Sequence, residues 1–346
     1  MAATASQPAS RAPSRPADEA APSSRLGWQD YLRALVADRV ALVACCFVLL
    51  IVGSAIAAEL VAPHDPYAQA IRLRNKPPLT PALEPGTPPH LLGTDALGRD
   101  TLSRLIFGAR ISLAVGFATV LISGTLGVLL GLLAGFYRGK VEDVVMRVVD
   151  LQMSLPSLLL ALFVLFVFGP GILNLILVMV VTRWMVYARI TRGMMLSLRE
   201  QTYVEAARAI GCNDRRIVLR HMVPNLMSPI LVLATLEIAT MMLSLAALDF
   251  LGLGIQPPES SWGLMLAQGR EYITAAWWQV TFPGLAILLT ALSFNILATW
   301  VRAVSDPVNS WRWIRRSRRS ALTPSDKSGP GAGSSPPRTA APPRPA

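Results

Sequence analysis

The stretch ISLAVGFATVLISGTLGVLLGLLAGF, residues 111–136, decides the fold of this chain. It contains no charged side chain and exceeds the roughly 20 apolar residues that cross about 30 Å of hydrocarbon as a helix. We therefore predict that it is a transmembrane helix. The whole composition agrees, because 53% of the 346 residues are hydrophobic, 15% are charged and the mean hydropathy is +0.46.

Five further apolar stretches bring the predicted number of transmembrane helices to six. They are residues 40–58, 151–170, 171–190, 226–248 and 282–301. Charged residues interrupt the apolar run of two of them, Arg183 in the fourth span and Glu237 in the fifth. Pro156 should kink the third span, since proline removes a backbone donor and clashes with the preceding turn. The predicted fold class is an all-α membrane protein with six transmembrane helices.

The distribution of Lys and Arg predicts the orientation of these helices. Residues 189–225 hold seven Arg against three acidic residues, and residues 302–346 hold nine basic against two acidic residues, whereas residues 251–281 hold one Arg. Since cytoplasmic loops carry an excess of positive charge, both termini and the 190–225 loop are predicted to be cytoplasmic. Residues 63–110 carry six basic and four acidic residues on the predicted outer side, a conflict that the C-terminal signal outweighs.

The chain divides into four predicted regions. Residues 1–27 and 308–346 are polar, rich in Pro, Ala and Ser, and expected to be disordered. Residues 28–110 contain the first transmembrane helix and a Pro-rich extracytoplasmic loop. Residues 111–307 form a core of five transmembrane helices with a cytoplasmic loop at residues 189–225.

The net charge of +11 does not indicate a nucleic-acid-binding protein. Residues 302–346 contribute +7 of it (9 − 2), so only +4 remains for the rest of the chain (11 − 7). Basic segments beside membrane spans usually meet anionic lipid. Membrane lipid is therefore the predicted partner of the basic tail, and no nucleic-acid partner is expected.

The second predicted span carries small residues at every fourth position, namely Ser123, Gly127, Gly131 and Gly135. This spacing places them on one helix face, where another helix backbone can approach closely. We predict helix packing at this face. The partner helix can belong to the same subunit or to a second subunit around a pore, and the sequence leaves both alternatives open.

The sequence lacks the motifs of common enzyme classes. No GxxxxGK[ST] phosphate loop, HExxH or GxSxG is present, and the three histidines, His64, His90 and His221, are scattered along the chain. We predict no catalytic residue, no metal site and no cofactor bound by this chain.

Polar residues inside the last two spans are the candidates for a transport path. Glu237, Met241 and Ser244 fall on one face of the fifth span, and Asn295 is a polar residue of the sixth. The same stripe could instead pack against another subunit. Because ionisable groups inside spans are costly and usually functional, a proton-coupled secondary transporter that uses Glu237 is an alternative function. A structural membrane scaffold is a third.

The segment EAARAIGCNDRRIVLRHMVPN, residues 205–225, is basic and lies between two spans. Its alanines favour a helix, Gly211 can end that helix in a left-handed cap, and Asn213 or Asp214 can start a second helix that Pro224 limits. The prediction is two short helices at a sharp bend, which can insert into a groove on another protein. An ordinary cytoplasmic connector is the alternative.

Glu205, Ala206, Ala207, Gly211 and Pro224 of this segment match a known motif. Their pattern resembles the EAA loop of ABC-importer permeases, which docks on the ATP-hydrolysing subunits. The RHxxPN ending of the segment resembles the form found in the dipeptide/oligopeptide/nickel branch of these permeases.

Two more stretches support the same branch. They are GTDALGRDTLSRLIFGARISL at residues 93–113 and FLGLGIQPPESSWGLML at residues 250–266. The resemblance covers roughly residues 28–307. The branch often carries an acidic residue shortly before FLGLG, where this chain has Leu245 and then Asp249, so the role of Asp249 is left open.

The resemblance implies a type I permease fold and a non-catalytic subunit of a bacterial inner-membrane importer. The implied partners are a second homologous permease, two cytoplasmic ATPases that bind ATP and Mg, and an extracytoplasmic solute-binding protein. Dipeptides or oligopeptides are the first expectation for the substrate, and nickel chelates, opines and glutathione are alternatives.

Overall fold

The computed structural model describes residues 28–305. The polar termini predicted to be disordered, residues 1–27 and 308–346, lie outside this range. Most of the described residues are helical. Two isolated β-bridges, Thr80 with His90 and Thr94 with Asp100, connect parts of the loop that precedes Thr101.

Twelve α-helices follow one another within the described residues. The first six are α1 (Trp28–Ala37), α2 (Arg39–Ile56), α3 (Ala58–Val61), α4 (Thr101–Tyr137), α5 (Gly139–Met153) and α6 (Ser157–Phe168). The second six are α7 (Ile172–Arg199), α8 (Thr202–Ala209), α9 (Asp214–Arg216), α10 (Val223–Phe250), α11 (Trp262–Gly269) and α12 (Trp278–Ser305). Short 3₁₀ turns occur at Ile71–Leu73 and Arg270–Tyr272, and a π-helical turn at Ile217–Met222 joins α9 to α10.

Five helical runs are long and apolar enough to cross a membrane: α2, α4, α7, the run from Asp214 to Phe250, and α12. The α5–α6 pair brings the number to six if a broken span is counted as one. The predicted all-α membrane fold is therefore confirmed, with five or six candidate spans in the described residues where six were predicted.

The third predicted span, residues 151–170, is not a continuous helix. The chain breaks between Met153 and Ser157, and α5 and α6 meet at 86°. Pro156 lies at the break, as expected for a residue that lacks a backbone N–H and restricts the residue before it. With 12 residues, α6 is about 18 Å long and falls short of the hydrocarbon thickness by itself.

The small-residue stripe of α4 packs against α7 of the same subunit. A Cβ added at Gly127 would lie 2.2 Å from the Trp184 carbonyl oxygen, and one at Gly131 would lie 2.6 Å from the Ala188 carbonyl oxygen. Ser123 and Gly135 are also buried on this face. The two backbones are thus in direct contact. Of the two alternative partners, a helix of the same subunit or a helix of a second subunit, this contact is with the same subunit.

The loops gather at the two ends of the bundle. At the end that we call the loop end, residues 62–100 contact residues 251–277 and the start of α12. The Trp278 indole N–H donates to the Thr94 carbonyl at 3.1 Å, and the Gln279 amide donates to the Asn75 side chain at 2.8 Å. The two loops predicted to be extracytoplasmic therefore share one end.

The opposite end carries α5, the end of α7 and α8. Arg192 of α7 pairs with Glu142 of α5, and Arg199 donates to the Phe136 carbonyl at the end of α4 at 2.6 Å. We call this the elbow end. The two groups of loops alternate between the ends as the predicted topology requires.

We expect Gly127→Ala to destabilise the protein by about 1–3 kcal/mol, because the added methyl group must push α7 away from α4. The measurement is the midpoint of thermal unfolding of the purified protein in detergent. Gly116→Ala on the same helix is the matched control, since its added Cβ would lie 3.6 Å from the Met242 side chain, an ordinary contact. Equal midpoints for the two variants would contradict the proposed role of the stripe.

Candidate functional site

The bend between α8 and α9 is built around Gly211. Its φ is +80°, a region that residues with a side chain rarely adopt. The Cys212 N–H donates to the Ala207 carbonyl at 3.0 Å, and the Gly211 N–H donates to the Arg208 carbonyl at 2.9 Å. These two bonds form a Schellman motif, so the predicted left-handed cap is confirmed. We call residues 202–216 the elbow.

The second helix of the elbow is longer than the sequence suggests. It begins at Asp214, as predicted, but α9, the π-helical turn and α10 form one run to Phe250. Pro224 does not end this run, because it directly follows the π-helical turn Ile217–Met222, where the backbone hydrogen bonds change register and a missing N–H can be accommodated. Pro229 lies inside α10. The expectation of a short second helix was therefore wrong, and the elbow continues directly into a span.

A buried apolar cluster lies beneath the elbow. Its members come from α4, α7, α8, the π-helical turn and α10: Phe136, Met195, Val204, Ala207, Ile217, Met222 and Leu226. The Arg199 and Arg208 guanidinium groups each lie 6.0 Å from the centre of the Phe136 ring. The cluster and these cations join the elbow to the ends of three long helices, α4, α7 and α10, so we expect a displacement of the elbow to move those helices.

The outer side of the elbow end is exposed. Of the predicted coupling residues, Glu205, Ala206, Gly211 and Pro224 are exposed, whereas Ala207 faces the cluster. Two large apolar side chains join this surface, Ile210 with 81% and Leu219 with 68% of its area exposed. Arginines close to them in sequence, at positions 208, 215, 216 and 220, are exposed as well. Apolar side chains with a basic rim are typical of a protein-docking surface.

A pair of opposite charges joins α7 and α10 inside the bundle. Arg183 Nη1 lies 3.8 Å from Glu237 Oε2, and Arg183 Nη2 donates to Ser244 Oγ at 3.4 Å. Both charged side chains are largely buried, with 22% and 11% exposed. Sequence reasoning treated Arg183 as an interruption of a span and missed it as the partner of Glu237. The signal was present in the sequence as one basic and one acidic residue in neighbouring predicted spans.

The other two candidate path residues have different surroundings. Met241, on α10 between Glu237 and Ser244, is 1% exposed and belongs to the apolar core, while Asn295 on α12 is exposed. The structure thus joins Glu237 and Ser244 through Arg183, and neither Met241 nor Asn295 takes part in this contact. In this conformation, an exposed path along the whole predicted stripe is absent from the described part of the subunit.

Asp249 closes the loop that follows α10. It is fully buried and accepts hydrogen bonds from the Ile255 N–H and the Ser261 hydroxyl, both at 2.6 Å. A Cβ added at Gly254 would lie 1.8 Å from Asp249 Oδ1, and one at Gly263 would lie 2.6 Å from Oδ2. These glycines let the FLGLG loop and the start of α11 close around the carboxylate. The geometry gives Asp249 a structural role in this loop.

The GTDALGRD motif forms a charged cluster at the loop end. Asp95 accepts from the Arg99 side chain at 2.7 Å and is paired with Arg104, and both arginines also donate to the Gln268 side chain of α11. The cluster lines a cavity of about 370 Å³ together with Tyr272 and neighbouring residues. The motif therefore fixes the first loop to the 251–277 segment and shapes a polar recess at that end.

Comparison with known proteins gives this architecture a family. Residues 127–309 match the family described as the binding-protein-dependent transport system inner membrane component, and residues 28–78 match the N-terminal TM domain of oligopeptide transport permease C. The chain belongs to this family of ABC-importer permeases. It is a permease subunit of the peptide branch, in which ATP hydrolysis belongs to a separate subunit.

Relatives of the permease match it along most of their length. The di/tripeptide transport system permease protein DppC of Pseudomonas aeruginosa is 43% identical over 81% of this chain and 90% of the relative. The glutathione transport system permease protein GsiD of Pectobacterium atrosepticum is 38% identical over 82% and 92%. A solved chain from inward-facing conformations of the MetNI methionine ABC transporter is 20% identical, covers 59% of this chain and 97% of that chain, and has a TM-score of 0.48.

We expect Arg183→Met to destabilise the permease by about 3–5 kcal/mol, because it leaves the Glu237 carboxylate buried without an opposite charge. The double variant Arg183→Met with Glu237→Met should recover most of the loss, since neither charge then remains. Both effects can be measured as the amount of folded permease in the membrane and the midpoint of thermal unfolding. A double variant as unstable as the single variant would contradict the pairing.

Proposed function

We propose that this permease forms one half of the path of an ATP-driven importer of short peptides and that its elbow docks on a cytoplasmic ATPase. The substrate class rests on the relatives, whose names specify di- and tripeptides in one case and glutathione, itself a tripeptide, in another. Short peptides are the chemistry that both names share. Nickel chelates and opines find no such support among these relatives.

The observation that carries the proposal is the construction of the elbow. The exposed Ile210 lies beside a Schellman cap whose inner side packs on the cluster that contains Phe136 and Leu226. A force applied to the outer side is therefore passed to the end of α4 and to α10. Closure of the ATPases would tilt these helices as rigid bodies, which is how packed helices commonly change state.

The Arg183–Glu237 pair lies on this route, since Glu237 belongs to α10 and Arg183 to α7. Rotation of α10 relative to α7 would break or reform the pair and alter the polarity of the bundle interior. Arginine stays protonated at physiological pH and cannot pass on a proton, so the pair gives no support to a proton relay through Glu237. A role in coupling to the ATPases therefore explains the buried Glu237 better than a proton relay does.

The remaining partners follow from the two ends of the bundle. With the elbow on the cytoplasmic side, both termini are cytoplasmic and the loop end faces outward in the bacterial inner membrane. The recess beside Asp95 and Tyr272 then lies where a solute-binding protein would deliver its cargo. A second homologous permease completes the path, and a second ATPase binds that permease. ATP and Mg belong to the ATPases.

We expect Ile210→Glu to reduce co-purification of the ATPases with the permease by about 30-fold, the effect of losing roughly 2 kcal/mol at the centre of an interface. The elbow should stay folded, because Ile210 is 81% exposed. Ile273→Glu is the matched control, since Ile273 is 54% exposed at the loop end. Equal recovery of ATPases with both variants would show that the docking surface lies elsewhere.

We expect Gly211→Asp to uncouple peptide uptake from ATP hydrolysis while the permease remains inserted, because it places a side chain at φ +80° and a negative charge on the exposed docking surface. The measurements are uptake and ATPase activity of the complex in proteoliposomes. Gly193→Asp is the control, since Gly193 lies on the exposed side of α7 near the same end and has open space around it. Normal uptake by the Gly211 variant would refute the elbow as the coupling element.

A further inference from the structure

Two of the three histidines of the chain meet at the loop end. His64 follows α3, and His90 precedes the GTDALGRD motif, yet their rings stack with centroids 4.4 Å apart and planes inclined by 22°. Asp100, the residue that caps α4, lies beside both rings. These histidines are scattered along the sequence, and their spacing predicts no metal site. The fold of the first loop brings them together.

Three potential ligand atoms converge on one point. Asp100 Oδ1 lies 2.9 Å from His90 Nδ1 and 3.8 Å from His64 Nδ1, and all three atoms lie within 4.8 Å of one another. Ligands of a tetrahedral zinc ion at about 2.0–2.1 Å are separated by about 3.4 Å. The two measured separations bracket this value. A nitrogen lone pair lies in the plane of its ring, so the His64 ring must turn out of the stack for both histidines to bind one ion.

The buried ring nitrogens of His64 have no hydrogen-bond partner among the described residues. Both ring nitrogens of His64 are shielded from solvent and have no hydrogen-bond partner, although His90 and Asp100 bind each other. A buried polar group without a partner costs free energy. A cation held between Asp100 and the two rings would give His64 a partner.

The surrounding groups hold Asp100 as metal sites usually hold their carboxylates. Asp100 Oδ2 accepts from the Ser103 N–H at 2.7 Å and from the Ser103 hydroxyl at 2.8 Å, which leaves Oδ1 for the histidines. The same hydroxyl accepts from the His64 backbone N–H at 3.1 Å. Such second-shell bonds orient ligands and raise metal affinity. One serine thus positions two of the three candidate ligands.

We propose that His64, His90 and Asp100 bind a divalent transition cation of the Zn²⁺ class, with water or another donor in the fourth position. Two imidazoles and one carboxylate suit this class of ion, as opposed to Ca²⁺ or Mg²⁺, which prefer oxygen ligands. The ion would fasten the segment after α3 to the first turn of α4. It would thereby fix the start of the Pro-rich loop at the outer end of the path.

The test uses the purified transporter complex, prepared with an affinity tag that contains no histidine, stripped with a chelator and dialysed against Zn²⁺. His64→Phe preserves the ring stack and the backbone bond to Ser103 but removes the ligand atom. His221→Phe is the matched control, because His221 precedes α10 at the elbow end. Zinc held by partner subunits is common to both samples and cancels in the comparison.

We expect the complex to retain about one more zinc ion per permease with His221→Phe than with His64→Phe, and the Zn²⁺ affinity of this site to fall at least tenfold in the latter. Co²⁺ in place of Zn²⁺ should give visible absorption bands of a tetrahedral site that the His64 variant lacks. Equal zinc content in the two variants, or no zinc bound by either, would overturn the proposal. Zinc content does not depend on transport, so this test and the tests of coupling can fail separately.

Discussion

The close approach of α4 and α7 is the contact on which the rest of the bundle depends. Lipid offers helices little hydrophobic reason to associate, so their packing must come from backbones that fit closely together. Gly127 and Gly131 supply that fit, because any side chain there would collide with α7 carbonyl groups. Once α7 is fixed on α4, Arg183 faces α10 and Arg199 reaches the last turn of α4. The charged pair and the elbow anchor both follow from this contact.

The elbow end combines a continuous helical connection with a broken one. The Asp214–Phe250 run and the Phe136 cluster connect the elbow stiffly to the bundle. The break at Pro156 does the opposite, because it separates α5 from α6 at 86°. Pairs between α5 and α7, such as Glu142 with Arg192, hold α5 to the end of α7. The elbow end thus holds both a helix that continues from the elbow into a span and a span that is broken near the same end.

Hydropathy predicted most of the architecture because lipid imposes its requirement on each span separately. The Gly211 cap was also predictable, since a left-handed cap depends on local sequence. The 86° bend, the passage of a helix through Pro224 and the partner of Glu237 were not predictable, because each depends on tertiary neighbours. The same holds for His64 and His90, which a Pro-rich loop brings together without any periodic pattern. Local rules thus determine which segments become helices, and long-range packing determines which side chains meet.

Tertiary pairing also bears on the positive charges of the first loop, which conflict with the proposed orientation when they are counted from sequence. Arg99 and Arg104 are buried and share the carboxylate of Asp95, and Arg110 lies 3.4 Å from Glu59. Charges neutralised within the fold contribute little to the excess that holds a loop in the cytoplasm. The arginines at the elbow end differ, because those at positions 208, 215, 216 and 220 are exposed. Arg72, Arg74 and Lys76 of the first loop are exposed as well, so the buried pairs reduce the conflict of charge in this loop without removing it.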